Sequence, residues 1–470
     1  MTSTSSSSSP ATGSVPTRWR DLFVAPHRAA VFVMAGGIGL YAMNLYFTAA
    51  LMPSVVADLD GRQFFAWAST AYLVTAVVAT MLVSRLLVTR GSRSAYAIAA
   101  GLFGAGTLVT ALAPDMGVFV AGRALQGLGA GLLTGLGFAT IRAVLPAALW
   151  TRATGLISAM FGVGTLIGPA AGGAFAQADA WRAGFGVLAA AAVALWGLSR
   201  RALPAHHPRR DEARPRVPAA SMALLALTAA SLSVTSLLAG PLVAVAVVAG
   251  ILLLVAFFAV DGRDPHGVLP RLAYARGSSA KWIYLTVAAL CAGVMIENFI
   301  PLFAQQLAGA SPLIAGLLGA VLSLGWTLAQ LWSAGVSAGT ARRLVRTGPV
   351  LLTTGLVLFG LLQTDAAEGW RVALWALVLL VAGAGIGSAF PHLSVAAMSI
   401  SDDPAESAKA AAAVSTTQLI AFTLTSALAG SLIALGRESV LVSAQWVTFG
   451  IAAVAGVGIL AARGATVRRR

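Results

Sequence analysis

The sequence has few charged residues and almost no cysteine. Asp, Glu, Lys and Arg make up 10% of its 470 residues, against roughly 25% in soluble domains, whereas apolar residues make up 58%. A chain of this composition cannot hide its apolar residues in a soluble core. Cys291 is the single cysteine, which excludes an intrachain disulfide and any cysteine-based metal site.

Lysine is also scarce, and this argues against an ATP-driven pump. The phosphate-binding loop of such pumps needs a Gly-Lys pair, but Lys281 and Lys409 each follow alanine. His206, His207 and Asp211 match the spacing of some acyltransferases, in which His is the general base, yet they lie in a linker rich in proline and arginine. We therefore expect a protein that is not an enzyme and that needs no cofactor.

Long apolar runs, in contrast, are abundant. A helix needs about 20 residues to cross roughly 30 Å of hydrocarbon, and windows of that length divide the chain into fourteen apolar runs. The sequence therefore predicts an all-α integral membrane protein with fourteen transmembrane helices, near 30–53, 66–88, 94–113, 117–140, 153–175, 183–200, 220–238, 241–260, 282–304, 312–338, 347–363, 371–397, 410–434 and 440–462.

The 31 Lys and Arg residues are unevenly distributed. If the N-terminus lies inside, most of them fall in the segments predicted to face the cytoplasm, including the terminal Arg468, Arg469 and Arg470. This positive-inside pattern orients helices in a lipid bilayer, so the net charge of +15 does not indicate a nucleic-acid partner. We expect a multi-pass protein of the cell membrane with both termini in the cytoplasm. The first run is too long for the core of a signal peptide.

Two polar stretches follow the sixth and eighth runs and divide the chain. Many secondary transporters are built from two six-helix halves that enclose the substrate at mid-membrane, and here a two-helix insert would lie between such halves. The predicted organisation is a disordered cytoplasmic segment at 1–28, a six-helix bundle at 29–200, a linker at 201–219, the insert at 220–260, a linker at 261–281, a six-helix bundle at 282–462 and a basic cytoplasmic tail at 463–470.

Motifs in the fourth and fifth runs carry a resemblance to a known family. Arg123-Ala-Leu-Gln126-Gly127 resembles the Arg-x-x-Gln-Gly signature of the major facilitator superfamily. The fifth run resembles the antiporter motif of that superfamily at Gly164, Gly168, Pro169, Gly172 and Gly173. Trp181-Arg182 follows where its exporters often have this pair. Together with the insert, residues 29–462 are similar to the fourteen-span drug:proton antiporters.

This resemblance implies a secondary active transporter. The implied activity is proton-coupled export of a lipophilic drug-like or secreted small molecule by alternating access, with the proton gradient as the energy source and a monomer as the expected state. Two alternatives of the same fold stay open: a proton-coupled importer of a nutrient or metabolite, and an exporter of a lipid or secondary metabolite.

The glycines of the fifth run also have a direct physical interpretation. Gly164, Gly168 and Gly172 recur every four residues, so they form one smooth stripe that lets a neighbouring helix approach closely. Pro169 lacks a backbone donor and can kink the helix. A closely packed, bendable helix suits an alternating-access hinge, while the alternative interpretation is helix packing alone.

Two positions depart from the family pattern. The loop with Arg85, Arg90, Gly91 and Arg93 resembles the cytoplasmic gate loop of the superfamily, but Val88 stands where an aspartate is expected. Asn44 in the first run likewise replaces an aspartate found in many fourteen-span exporters. The resemblance therefore implies a weakened gate relay and one missing proton carrier.

Glu297 is the single acidic residue that falls inside a predicted span. An intramembrane carboxylate is costly unless it is protonated or paired, so we expect Glu297 to carry the coupling proton, with a structural hydrogen bond as the alternative. Arg123 is the single Lys or Arg that lies away from the ends of a predicted span, and its predicted depth is similar, roughly 6 to 8 Å toward the outer face at 1.5 Å per residue. It is expected either to communicate with Glu297 or to clamp backbone carbonyls. His392 is the next candidate for the proton.

Aromatic and weakly polar residues in the same runs could line a cavity. Aromatic walls suit lipophilic or cationic substrates, although each such side chain could equally serve to pack helices. The candidates are Tyr41, Asn44, Tyr46, Gln126, Phe299, Trp326, Gln330, Trp332 and Trp375.

Overall fold

The computed structural model describes residues 19–25, 27–146, 149–205, 218–238, 240–264, 267–269, 271–275, 277–333, 336–398, 404–436 and 438–466. Residues 1–18 of the predicted disordered segment 1–28 lie outside this set, whereas Trp19–Phe23 form a 3-10 helix. Most of the first linker and the last four residues also lie outside it. The acyltransferase-like residues at 206–211 do as well.

All regular structure in the described residues is helical. The helices are α1 (Arg28–Leu59), α2 (Phe65–Met81), α3 (Val83–Ala111), α4 (Met116–Ala139), α5 (Ile141–Val144), α6 (Trp150–Gln177), α7 (Trp181–Ala202), α8 (Ala219–Val234), α9 (Pro241–Asp261), α10 (Ala280–Val294), α11 (Ile300–Ala308), α12 (Pro312–Ser333), α13 (Ala338–Leu362), α14 (Gly369–Met398), α15 (Pro404–Leu435) and α16 (Val440–Ala465).

The helices form two groups and an added pair. In the N-terminal half, α1 packs on α6, α4 packs on α2 and α3, and α7 packs on α3. In the C-terminal half, α14 packs on α12 and α13, and α16 packs on α10 and α13. The end of the bundle where α1 begins and α16 ends is called the tail face below, and the end where α1 finishes is called the far face.

Two seams join the halves. One is formed by α6 and α12, and the other by α2 and α15. The α2–α15 seam contains a hydrogen bond from Thr70 to Ser426 of 3.1 Å. Because few side-chain hydrogen bonds cross either seam in the described residues, the halves are held together mainly by close helix packing.

The pair α8 and α9 lies against the second seam. α8 contacts both α2 and α15, and Thr235 just beyond it donates to Ser431 at 2.8 Å. α9 packs on α8 and leaves most of its apolar side chains exposed, including Ile251 at 54% and Leu252 at 63%. Such an apolar exposed surface fits a helix that faces lipid.

The helices are broken at two places, one between two predicted spans and one inside a predicted span. Gly91 has φ 70° and ψ 170° inside α3, which separates the second run from the third. The ninth run was predicted as one continuous helix at 282–304, which is wrong: α10 ends at Val294, a 3-10 turn follows at Met295–Asn298, and α11 begins at Ile300. Pro301 fits the first turn of α11, where its missing N–H leaves no bond unmade, and it cannot continue α10.

Twelve helical segments in the described residues are long and apolar enough to cross a membrane. The sequence predicts fourteen, and this criterion does not reach that number. α8 has only 16 residues and is too short for this criterion.

Candidate functional site

Glu297 lies in the 3-10 turn that interrupts the ninth run. This turn packs against α1 of the N-terminal half and against α12, α15 and α16 of the C-terminal half. The residue is 1% exposed, and neither of its carboxylate oxygens has a hydrogen-bond partner among the described residues. A buried carboxyl group without donors is strongly disfavoured in its charged form, so this position carries a cost that a packing role alone does not require.

The groups around Glu297 are partly polar and partly aromatic. Ser323 on α12 lies beside the carboxyl group, although the two do not form a hydrogen bond of normal geometry. Tyr46 on α1 is close enough to interact with its charge. The Oδ1 atom of the neighbouring Asn298 also has no partner among the described residues. Several buried polar atoms around Glu297 therefore have hydrogen-bonding capacity that no described residue satisfies.

Arg123 is fully buried on α4 and is held by neutral groups. Its Nε donates to the carbonyl oxygen of Ala68 at 3.2 Å, and its guanidinium lies 4.2 Å from the ring centroid of Tyr72. Its Nη1 donates to Gln126, whose Nε2 donates to Thr107 at 2.7 Å. Nη2 has no partner among the described residues. Arg123 thus makes the backbone clamp considered from the sequence and keeps one free donor.

Arg123 and Glu297 do not form an ion pair, since no N–O contact between them falls within 4.0 Å. They nevertheless border the same stretch of α2. Ala68 accepts the hydrogen bond from Arg123, and the ring of Phe65, three residues earlier, contacts that of Phe299 with centroids 5.6 Å apart. A buried base of the N-terminal half and a buried acid of the C-terminal half therefore lie on either side of the contact between the halves.

The polar and aromatic residues predicted on α1 lie near this stretch of α2. Tyr41 stacks on Tyr72 at 6.1 Å and contacts the ring of Phe161 edge-on at 5.7 Å. Asn44 accepts from Thr48 at 3.5 Å, and its amide nitrogen has no partner among the described residues. Tyr41, Asn44 and Tyr46 are all buried, so α1 brings them to the centre of the molecule.

The tryptophans are placed differently. Trp375 is fully buried between α13 and α14, where it packs on Phe359 at 5.6 Å and donates to the carbonyl of Leu362; this is a helix-packing position within one half. Trp326 donates to Gln330 at 2.8 Å. Trp332 is 64% exposed. The structure brings none of these three tryptophans into contact with Glu297.

The glycines of α6 pack on two different helices. A methyl group at Gly168 would lie 2.9 Å from the carbonyl oxygen of Met43 on α1, and one at Gly173 would lie 2.7 Å from the carbonyl oxygen of Pro312 on α12. Gly164 and Gly172 also face α1. The predicted close approach is therefore observed, and α6 uses small residues both within its own half and at a seam. Pro169 lies inside α6 and faces Gly316 across that seam.

The segment between the second and third runs was predicted to be a loop, but it belongs to α3 at the tail face and is interrupted only at Gly91. Arg85 and Arg90 are exposed. Arg93 donates from Nε to the carbonyl oxygen of Leu203 at 2.7 Å, which ties the start of the third run to the end of α7. His392 lies on α14, and its Nε2 has no partner among the described residues.

Sequence reasoning missed the partners of two acids. At the far face, Asp58 forms an ion pair with Arg182 at 2.5 Å and accepts from Trp181 at 3.2 Å. Both partners belong to the pair noted in the sequence, but nothing in the pattern pointed to Asp58. At the tail face, Asp261, the first residue of the predicted linker at 261–281, is 1% exposed. Its carboxylate accepts hydrogen bonds from Val268, Leu269 and Tyr274 of the linker that follows.

The architecture defines a class of protein. Two helical halves meet along two seams, and buried charged groups without carboxylate or ammonium partners lie where they meet. This is the arrangement of a membrane transport protein that works between its two halves.

Comparison with known proteins supplies the family. The model of the major facilitator superfamily matches residues 34–426, and the chain belongs to that superfamily. It is 40% identical over 459 residues to a probable multidrug-efflux transporter of Mycobacterium tuberculosis, covering 96% of this chain and 97% of that protein. Multidrug resistance protein 3 of Bacillus subtilis is 22% identical over 390 residues, covering 80% of this chain and 75% of that protein.

Solved structures show the same fold. A D-xylose-proton symporter superposes with a TM-score of 0.66 at 17% identity and covers 93% of this chain and 96% of its own. A peptide transporter in complex with alafosfalin gives a TM-score of 0.67 at 16% identity and covers 96% of both chains. Its membership of the superfamily and its 40% identity to an efflux transporter make the chain a multi-pass membrane transporter and not an enzyme.

Proposed function

We propose that this protein exports a lipophilic drug-like or secreted small molecule in exchange for protons. The observation that carries the proposal is the state of Glu297: a carboxyl group buried where the two halves meet, whose oxygens have no hydrogen-bond partner among the described residues. Intramembrane acids in such positions are associated with ion and substrate pathways. The group is neutral when protonated, and once deprotonated it needs a compensating positive charge or water.

This requirement produces exchange. A proton from the far face and a positive charge on a substrate from the tail face would compete to neutralise the same carboxyl group, so that binding of one favours release of the other. One aromatic ring from each half lies near the site: Phe299 follows Glu297 by two residues, and Phe65 contacts Phe299. Such rings favour apolar or cationic substrates. Uncharged lipophilic substrates would use the same rings.

The seams support alternating access. The α6–α12 seam is lined by glycines and by backbone atoms rather than by side-chain hydrogen bonds, so that the helices can slide or tilt without breaking strong directional contacts. In this proposal the antiporter motif of α6, from Gly164 to Gly173, acts as the hinge region, and the loop with Arg85, Arg90, Gly91 and Arg93 is the gate at the tail face.

We further propose fourteen spans in the cell membrane with both termini in the cytoplasm. The twelve segments that meet the length criterion, together with α6 and α8, make fourteen, and the tail face would then be cytoplasmic. A cytoplasmic reporter fused after Gly464 should be active, and one fused at Gly309 should be inactive. Activity at Gly309 would contradict this topology.

The direction of transport is tested by efflux measurements. Cells that overproduce the protein should lose a preloaded lipophilic cation faster than cells that lack it, and collapse of the proton gradient should remove the difference. Faster uptake driven by the gradient would favour the alternative, a proton-coupled importer. The names of the efflux relatives support export.

The substrate is best sought by a susceptibility screen. The susceptibility of cells that lack the protein should be compared with that of cells that overproduce it. The compounds tested are lipophilic cations, neutral antibiotics and detergents. Resistance to one or more of these classes supports drug export, whereas unchanged susceptibility with altered lipid or secondary-metabolite secretion would favour the alternative exporter. The proposed unit is a monomer that uses the proton gradient and no cofactor.

A further inference from the structure

A cavity of about 510 Å³ opens at the far face, in the α2–α15 seam. Its walls come from both halves and from the turn after α8. The lining residues are Arg62, Gln63, Phe65, Ala66, Leu237, Gly430, Ile433 and Ala434. Arg62 and Gln63 are exposed, which places the mouth of the cavity at the end of the bundle, whereas Phe65 and Ala66 are buried and form its floor.

Phe65 at the bottom of this cavity also borders the site at Glu297, through its contact with Phe299. The ring of Phe65 is 6% exposed and lies 5.6 Å from that of Phe299, which is 1% exposed. Phe299 follows Glu297 by two residues and stacks in turn on Phe303 at 6.3 Å. One aromatic pair therefore separates the cavity from the break in the ninth run that holds the carboxyl group.

The pair also crosses from one half to the other. Phe65 begins α2 of the N-terminal half, and Phe299 caps the start of α11 in the C-terminal half. A contact between rings on different halves is lost when the halves move apart, whereas a contact inside one half is not. The packing beside it is close, since a methyl group at Gly430 would lie 3.1 Å from the Cβ of Ala66.

We infer that this cavity is the vestibule through which the far face reaches Glu297, and that Phe65 and Phe299 form the gate that closes it. The inference rests on the proposed movement of the halves, but it does not depend on the substrate or on proton coupling. In the conformation described, the gate is closed. Opening requires only that the α2–α15 seam separates at its far end.

Arg62 gives the vestibule a charge preference. Its guanidinium has no carboxylate within 4.0 Å among the described residues, so that its positive charge is not neutralised by a neighbouring acid. A cation is repelled at the mouth in whichever direction it crosses, because like charges repel. Small anions should enter the vestibule more readily than cations of the same size, because unlike charges attract and like charges repel.

The gate can be tested by thiol labelling, because the chain has a single cysteine. In a Cys291→Ala background, Ser323→Cys places a thiol beside Glu297. A membrane-impermeant thiol reagent added at the far face should label it slowly. Phe65→Ala and Phe299→Ala should each raise the labelling rate by about tenfold, as expected when an aromatic contact is lost from an opening equilibrium.

Phe359→Ala is the matched control. Phe359 also lies 5.6 Å from an aromatic ring, that of Trp375, but both belong to the C-terminal half, so its removal should leave the labelling rate unchanged. Should the alanine variants fail to fold, Phe65→Leu and Phe299→Leu keep an apolar side chain and should give a smaller increase. Equal rates in the Phe65, Phe299 and Phe359 variants, or fast labelling with both phenylalanines present, would overturn the gate.

The charge preference has its own readout. In the Phe65→Ala variant, a negatively charged thiol reagent should react faster than a positively charged one of similar size, and Arg62→Gln should reduce or reverse the difference. No effect of Arg62→Gln on this ratio would show that the cavity is not the route. Loss of transport with normal labelling would instead count against the proposed function and leave the gate standing.

Discussion

Glu297 and Asp261 are the two carboxylate residues buried in the described part of the chain, each 1% exposed, and they differ in every other respect. Asp261 ends α9 and accepts three hydrogen bonds, from the backbone N–H of Val268 at 2.6 Å, from that of Leu269 at 3.0 Å and from the hydroxyl of Tyr274 at 2.9 Å. Glu297 accepts none from the described residues.

The contrast separates a structural acid from one that we propose to be functional. A carboxylate that accepts several hydrogen bonds is stabilised in its charged form and fixes the chain around it. A carboxylate without donors contributes no such stability and is retained for what binds to it. We therefore expect changes at Asp261 to affect folding and changes at Glu297 to affect transport.

The largest effect is expected from Glu297→Gln. The amide keeps the size of the side chain and cannot take up or release a proton, so gradient-driven transport should fall to the background of empty vesicles while thermal stability in detergent is unchanged. Purified protein in proteoliposomes with an imposed pH difference provides the measurement. Glu438→Gln, at an exposed residue, is the control. Uphill transport by the Glu297→Gln protein would contradict the proposal and make His392 the next candidate.

Asp261→Ala should show the opposite result. It leaves two backbone N–H groups of the linker without their acceptor, which should lower the free energy of unfolding by about 2 to 4 kcal/mol, while the protein that does fold keeps its coupling to the proton gradient. Thermal unfolding in detergent and transport per folded molecule should be compared with those of Asp365→Ala, which changes an exposed acid. An Asp261→Ala protein that is as stable as the parent but no longer coupled to the proton gradient would contradict the assignment of Asp261 as the structural acid.

Tyr274→Phe sharpens the comparison by removing one donor. Loss of the hydroxyl should cost about 1 kcal/mol of stability. Burial, together with the nearby charge of Asp261, raises the pKa of the Tyr274 hydroxyl. A pKa that is higher in the folded state gives stability that is fully present below the unfolded value of about 10 and is lost as the pH rises through the folded value. The difference from the parent protein should therefore be the same at neutral pH and at about pH 9; a difference that already shrinks there would contradict this account.

The smallest effect is expected at Asp58, which is paired but exposed. Its ion pair with Arg182 joins the end of α1 to the start of α7, but the two side chains are 47% and 46% exposed. Solvent screens such pairs, so Arg182→Gln should lower the free energy of unfolding by no more than about 1 kcal/mol. Asp58→Asn should have an effect of similar size, and thermal unfolding of both variants in high and low salt gives the check. A salt-insensitive loss of several times this size would show that the pair is effectively buried.

Particular residues show how far the sequence could be interpreted. The glycine repeat at 164, 168 and 172 predicted a close helix approach, which is observed against α1. Glu297 was selected because it is the single acid in an apolar run. The break in that same run was missed, although Asn298 and Pro301 give a signal for it, because an average over 20 residues hides a four-residue turn.

The tryptophans show where such reasoning fails. Trp375 and Trp332 were grouped together as cavity candidates, but one is buried inside a single half and the other is 64% exposed. Helical periodicity does not reveal which of several apolar faces meets a neighbouring helix when every face is apolar.

The sequence by itself determined that this chain is a helical membrane protein with two related halves. Its apolar runs, its basic loops and its family motifs are local properties, and lipid admits only segments that satisfy their own backbone hydrogen bonds. The tertiary structure decided which buried polar groups have partners. Asp261 accepts hydrogen bonds from a linker that folds back on it, whereas Glu297 packs against α1 and α12 with no hydrogen-bond partner among the described residues. Hydrogen bonds between distant segments depend on how those segments pack, and no single segment determines that packing.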